Sequence, residues 1–246
     1  MDHYGLIGGK LSHSFSASWF SDKFKRESID AAYENYELTS ADELPALIQK
    51  VENLRGLNVT IPFKKSIIPF LDELHSSAAE CGAVNTIKIE RSNNTVKLIG
   101  YNTDGPAFYV SLSPLLKQSH KKALILGTGG AAGAVSAVLN MICVPSILIS
   151  RFKDNGFPVY ADINERVMQE YTLVINCTPI GMFPDQNNFP ELPYHSFSEA
   201  HIAYDLIYNP AETMFMKQAA SFGATVKNGL DMLHRQAELA WQIWNS

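Results

Sequence analysis

The chain has 246 residues, 46% of them apolar, with 20 Lys plus Arg against 25 Asp plus Glu, a formal net charge of −5. This balance suits a folded protein of two small domains rather than a disordered or fibrous one, and its weak acidity offers no general field for gathering phosphates, so nucleic acid is not an expected partner. The longest apolar stretch, Ala134 to Ile149, is broken by Ser136, Asn140, Pro145 and Ser146 and falls short of the roughly 20 residues of a membrane span.

Met1 to Tyr4 carry neither a basic lead nor a following apolar block, so a cytoplasmic protein is expected. Cys81, Cys143 and Cys177 are far apart, with no Cys-x-x-Cys or His-Glu-x-x-His in the chain. The expectation is three buried thiols, no disulfide framework and no metal site.

Tyr4 to Gly8 reads as a strand, Ala17 to Arg26 as a helix, and Ala32 to Leu38 as a second strand in which Tyr33 and Tyr36 break strict alternation. Ser40-x-x-Glu43 has the form of a capping box opening a helix to about Val51. Leu57 to Ile61 is a third strand, stopped by Pro62. Ala83 to Glu90 and Val96 to Ile99 flank Ser92-Asn93-Asn94 and predict a hairpin. This half is α/β with a mixed sheet.

A second unit begins near Asp104 with a helix to Leu116, then the basic linker Lys117 to Lys122, the strand Ala123 to Leu126, a glycine cluster and a helix to about Met141. Strands at Ser146 to Ser150, Leu173 to Asn176 and Ile202 to Leu206 suit a parallel sheet covered on both faces. Leu230 to Trp244 is a helix able to pack on either domain.

Gly127-Thr128-Gly129-Gly130-Ala131-Ala132 matches G-x-G-x-x-G/A between a strand and a helix. In that setting phosphate oxygens meet free N–H groups at a helix N-terminus; a purely structural glycine turn is the alternative. An NAD site expects an acid about 20 residues on, at the end of the second strand. Here Ser150 and Arg151 occupy that strand end, and a hydroxyl with a guanidinium suits an added ribose phosphate, which favours NADP, unless Arg151 is simply a solvated surface residue.

Two polar clusters end predicted strands. Pro62 turns Lys64 into the space beyond its strand, beside Thr60, where a lysine either shuttles a proton, holds a hydroxyl or lies on the surface. Asp104 sits between glycines at the domain junction, as a functional carboxylate, a helix N-cap or both. Ser12, Ser14 and Ser16 alternate after the first strand and either grip a carboxylate or cap the next helix.

Ser14-Phe15-Ser16, Asn58 to Lys64, Gly82 to Thr86, Asn102 to Gly105, the glycine turn, Asn176 to Met182, Tyr208-Asn209-Pro210 and Gly229 through Met232-Leu233 to Gln236 stand in an order that resembles the shikimate dehydrogenases over nearly the whole chain. The resemblance implies reversible NADP-linked reduction of 3-dehydroshikimate to shikimate, a step toward chorismate and the aromatic amino acids. By the same likeness Ser14 and Ser16 hold the substrate carboxylate, Thr60, Asn85 and Gln236 bind carboxylate or ring hydroxyls, and Tyr208 closes the pocket. Lys64 and Asp104 resemble the pair at the reacting hydroxyl, and Gly127, Thr128, Gly129, Gly130, Ala131, Ser150, Arg151, Thr178, Leu206, Gly229 and Met232 resemble cofactor contacts.

The implied architecture is α/β in two domains: residues 1–103, rejoined by the helix of 229–246, take the substrate, and residues 104–228 form a Rossmann-like domain for NADP. Lys10 stands in place of a usual proline and Ala107 of a usual glycine, and after Arg151 the family's helix is replaced by a segment containing Gly156 and Pro158, which shortens the adenosine side. Two other functions share these features: a dehydrogenase that also takes quinate, and a catalytically silent relative that binds ring acid or dinucleotide. The expected partners are small molecules, with the protein a monomer or a homodimer.

Overall fold

The apolar runs of the N-terminal half pair into one mixed sheet. In the computed structural model, which describes residues 1–11, 15–92, 95–153 and 156–246, the chain divides into one unit of Met1–Thr103 with Gln236–Ser246 and another of Asp104–Arg235.

The first unit runs β1 (Asp2–Gly8), α1 (Phe15–Glu27), β2 (Ala31–Glu37), α2 (Leu44–Lys50), β3 (Leu54–Val59), α3 (Phe63–Ser66), β4 (Glu73–Leu74), α4 (Ser76–Cys81), β5 (Thr86–Ser92) and β6 (Thr95–Tyr101). The sheet order is β2-β1-β3-β5-β6-β4. The β1 strand is parallel to β2 and β3, while β5 is antiparallel to both β3 and β6. The expected hairpin is present as the β5–β6 pair; its turn at Asn93-Asn94 lies outside the described residues. Before α2, the Glu43 carboxylate accepts from the backbone N–H groups of Thr39 and Ser40 at 2.8 and 3.0 Å, the reach-back half of the capping box.

Both faces of this sheet are covered. Ile7, Leu57, Val59 and Ile87 join Leu44, Leu47 and Ile48 on one face, and Tyr4, Leu6 and Tyr33 join Phe20 and Phe24 on the other, together with Ala237, Ala240 and Trp244. Tyr33 and Tyr36 therefore serve opposite cores, which is why simple apolar–polar alternation failed to describe β2.

The second unit runs α5 (Asp104–Leu112), β7 (Ala123–Leu126), α6 (Gly130–Met141), β8 (Ser146–Ile149), α7 (Glu165–Glu170), β9 (Leu173–Asn176), β10 (Ile202–Asp205), α8 (Met214–Ser221) and β11 (Thr225–Lys227). Its five strands, in the order β11-β10-β9-β7-β8, are all parallel. Leu124, Leu126, Val174 and Ala203 enter a core with Met168 and Phe215. Tyr204 meets Phe108 of α5 edge-on at 5.1 Å and donates to Ser111 at 2.8 Å. Among the described residues the stretch from Arg151 through Pro158 holds no α-helix, but α7 occupies part of the span before β9, a short helix that the sequence reading did not expect.

The expectation of three buried thiols is not met: Cys81 and Cys177 are half-buried, and Cys143 departs furthest. It is exposed in the turn that ends α6, with φ of 57°. Among the described residues no helix is long and apolar enough to cross a membrane.

The terminal helix α9 (Leu230–Trp244) contributes its last two turns to the first unit. Trp244 stacks on Tyr4 at 4.9 Å, and its indole N–H donates to the Ile87 carbonyl at 3.0 Å. Lys23, only 5% exposed, meets Glu238 at 3.2 Å and lies over the Trp241 ring at 5.8 Å, so its charge is paired and its stem covers aromatic surface. A β-carbon on Gly56 would collide with the Trp244 indole. Gly56→Ala is therefore expected to lower the unfolding free energy by about 1–3 kcal/mol, the usual range for overpacking, and by much less in a Trp244→Ala background. Equal losses in the two backgrounds, measured by denaturant unfolding, would show that the indole is not what confines position 56.

Candidate functional site

In the first unit the expected substrate contacts gather at one end of the sheet's inner strands, because β1 and β3 end where the antiparallel β5 begins. Ser16 lies in the first turn of α1, and Thr60 directly follows β3, where its N–H donates to the Ile7 carbonyl at 2.9 Å. Lys64 is in α3, and its carbonyl accepts from the Val84 N–H at 2.7 Å. Asn85 follows at once, its carbonyl accepting from the Val59 N–H at 2.8 Å. Ser14 lies outside the described residues.

Buried hydrogen bonds fix these strand ends. The Tyr33 hydroxyl donates to Asn58 Oδ1 at 2.8 Å, and Asn58 Nδ2 reaches the Asn85 carbonyl and Thr86 Oγ1, each at 3.3 Å. Asn85 Nδ2 donates to Thr103 Oγ1 at 3.0 Å, while Asn85 Oδ1 accepts from the Thr103 N–H at 2.8 Å. Burial raises the Tyr33 phenol above its ordinary range, opposed by a hydrogen bond with Ser16. Ser16, Tyr33, Asn58, Thr86, Asn85 and Thr103 thus form one chain of hydrogen-bonded side chains. Thr103 was visible only as a member of the Asn102 to Gly105 motif and Tyr33 only as a break in alternation, and their roles in this network were not, because their partners lie far along the chain, where spacing gives no signal.

Asp104, 7% exposed, is the first residue of α5. Tyr208 follows β10, and Gln236 lies within α9. Burial raises the Tyr208 phenol.

The expected cofactor contacts all lie at the C-terminal ends of the parallel strands, where open α/β sheets place their ligands. Gly127 to Ala131 follow β7, Ser150 and Arg151 follow β8, Thr178 follows β9, Leu206 follows β10, and Gly229 and Met232 follow β11. The glycine turn fits a dinucleotide. Gly127 has φ of 109°, a conformation that requires glycine, and the place of a β-carbon on Gly129 is open space at the N-terminus of α6. The first N–H groups of that helix have no carbonyl one turn earlier to bond, an arrangement that suits a phosphate.

Neighbouring loops close on this turn. A β-carbon on Gly127 would stand 3.1 Å from Thr178 Cγ2, and one on Gly229 would collide with the Leu206 carbonyl. Met232 is buried. Ser150 Oγ accepts from the Phe152 N–H at 3.0 Å, and the exposed Arg151 guanidinium stands 5.4 Å from the Phe152 ring centre.

One carboxylate in this unit titrates unusually. Burial raises Asp205 from 3.8 to about 6, against hydrogen bonds from Thr213, Ile207 and Asn176. The folded state then holds a proton that the unfolded chain has released, so this contribution to stability is complete below about pH 4 and is lost as pH rises through about 6. The wild type is expected to lose roughly 3 kcal/mol more than Asp205→Asn between those limits. Parallel pH profiles of unfolding free energy for the two proteins would contradict this.

Residues 6–87 match the family model described as the shikimate dehydrogenase substrate binding domain. The chain is 38% identical to the Carboxydothermus hydrogenoformans protein named shikimate dehydrogenase (NADP(+)), over 98% of this chain and 90% of that one. The shikimate dehydrogenase structure from Aquifex aeolicus superposes with a TM-score of 0.86 at 33% identity, covering 100% of this chain and 92% of that one. The Thermus thermophilus enzyme in complex with NADP(H) and shikimate does so with a TM-score of 0.84 at 29% identity, covering 99% and 93%. A likeness of this extent, running through both units, makes the chain a member of the shikimate dehydrogenase family.

Proposed function

We propose that the chain catalyses the reversible NADP-dependent reduction of 3-dehydroshikimate to shikimate, in the cytoplasm, as a monomer or homodimer on the route to the aromatic amino acids. The observation that carries this reading is the likeness over 98% of the chain to a relative named as the NADP(+) enzyme. Residues 1–103, with the helix of 229–246, hold the ring acid, and residues 104–228 hold the dinucleotide.

When bound, NADP supplies or accepts the hydride. Ser14 and Ser16 hold the substrate carboxylate with neutral hydroxyl donors, Thr60, Asn85 and Gln236 fix carboxylate and ring hydroxyls, and Tyr208 closes over the ring. Hydride arrival at a ketone leaves negative charge on oxygen. Lys64 gives that oxygen its proton in reduction and takes it back in oxidation, while Asp104 orients both the ammonium and the hydroxyl. Gly127, Thr128, Gly129, Gly130 and Ala131 present backbone N–H groups to the pyrophosphate. Ser150 and Arg151 bind the ribose phosphate, and Thr178, Leu206, Gly229 and Met232 line the rest of the dinucleotide site.

The purified chain given shikimate and NADP⁺ is expected to raise the absorbance of reduced nicotinamide, and to turn over shikimate faster than quinate. Ligand binding without turnover would replace this reading with that of a silent binding protein. Arg151→Ala is expected to weaken NADP⁺ by about 10- to 100-fold, as loss of a charge-assisted contact does, and NAD⁺ far less. Equal weakening of the two dinucleotides would remove Arg151 from the ribose phosphate.

A further inference from the structure

Asn176 and Asp205 are the last residues of β9 and β10, stand opposite each other in the parallel register, and are completely buried. Asn176 Nδ2 donates to Asp205 Oδ1 at 3.0 Å. From that contact the hydrogen bonds run outward in two directions. Asn176 Oδ1 accepts from both the N–H and the hydroxyl of Thr178, at 3.0 and 2.6 Å. Asp205 Oδ1 also accepts from the Ile207 N–H at 3.0 Å, and its Oδ2 accepts from the Thr213 hydroxyl at 2.6 Å. Thr213 Oγ1 in turn accepts from the Met216 N–H at 3.3 Å, capping α8.

We infer that Asn176 and Asp205 act as a positioning pair that sets the loop carrying Thr178 and the loop carrying Leu206 and Tyr208 as a single unit, so that cofactor and substrate contacts depend on one buried hydrogen bond. The inference rests on the proposed dehydrogenase reading for the roles of those three residues. Neither side chain of the pair is assigned to touch a ligand. Both act through the loops that they hold.

The residue types suit the task. A carboxylate accepts from all three of its donors at once, and an amide at 176 donates to that carboxylate while accepting twice from the next loop. The pair is shut away from solvent, so removal of either side chain leaves buried donors unpaired and frees the loop from its register. Thr178 packs against Gly127, so a shift of its loop is felt at the glycine turn. Displacement of contact groups by about 1 Å can cost a factor on the order of 100 in rate.

The test compares Asp205→Ala, Asn176→Ala, Asp205→Asn and the double alanine variant with wild type. It measures the NADP⁺ dissociation constant, kcat and KM for shikimate, and amide hydrogen exchange, all well below each protein's unfolding midpoint. Each alanine variant is expected to raise the NADP⁺ dissociation constant and lower kcat, both by roughly 10- to 100-fold. Exchange at the Thr178 and Ile207 amides should quicken, and the double variant should be no worse than the poorer single one. Asp205→Asn keeps an oxygen for Asn176 and Ile207 and should recover most of the loss; with Asn176→Ala it carries the test if Asp205→Ala does not fold. Variants that melt earlier yet keep the NADP⁺ constant and kcat within about twofold of wild type would overturn the inference and leave the pair a purely structural one. A wild type that binds NADP⁺ but does not oxidise shikimate would instead defeat the dehydrogenase reading, and the dissociation constants would still decide the pair's role toward the cofactor.

Discussion

A polar side chain shut away from water must find its partners within the protein, and in both units this requirement falls where strands end. There the backbone leaves the ladder, and side-chain amides and hydroxyls take over as the partners of the departing loop. In the first unit Asn58 and Asn85 tie the end of β3 to the residues around β5 and β6. In the second, Asn176 and Asp205 tie the ends of β9 and β10 to the loops that follow. An unpaired buried amide or carboxylate costs about 1–3 kcal/mol or more, so these networks admit few loop conformations. Among the proposed ligand contacts, Asn85, Thr178, Leu206 and Tyr208 sit on loops held in this way.

The terminal helix shows the same dependence on long-range partners. Its apolar spacing marks Leu230 to Trp244 as amphipathic but is equally compatible with packing on either domain. What decides is shape: the Trp244 indole occupies the space left by Gly56 and is stacked against Tyr4. A missing β-carbon on β3 and a large ring at the chain's end, 188 positions apart in the numbering, cannot be matched by periodicity.

Much of the second unit was legible because its signals are local. The run Ala123 to Leu126, the glycine turn and the Ala/Val-rich stretch to Met141 predict β7, the turn and α6 close to their observed bounds. The short elements α3, α4, α7, α8, β4 and β11 escaped because two to eight residues carry too little pattern to stand out from loop. The exposed Cys143 follows from its place in a turn, a position that composition alone does not reveal. Asn58, Asn85, Thr103 and Asn176 were visible as members of motifs, but Tyr33 and the carboxylate Asp205 that Asn176 meets across 29 residues were not, and the pairings themselves exist only once the sheets have formed.

The chemistry places two demands on these scaffolds: a proton donor for the oxygen that hydride transfer charges, and a carboxylate that holds donor and oxygen in line. The residues proposed for these demands are Lys64 and Asp104. The most direct measurement is the rate of NADP⁺ reduction by shikimate in Lys64→Ala, in Asp104→Ala and in the doubly substituted chain, each at saturating substrates. Two groups that act as a unit lose their joint contribution when either is removed. The double variant should then be about as slow as the slower single one. Losses that multiply, or a Lys64→Ala protein that turns over at nearly the wild-type rate, would contradict the account.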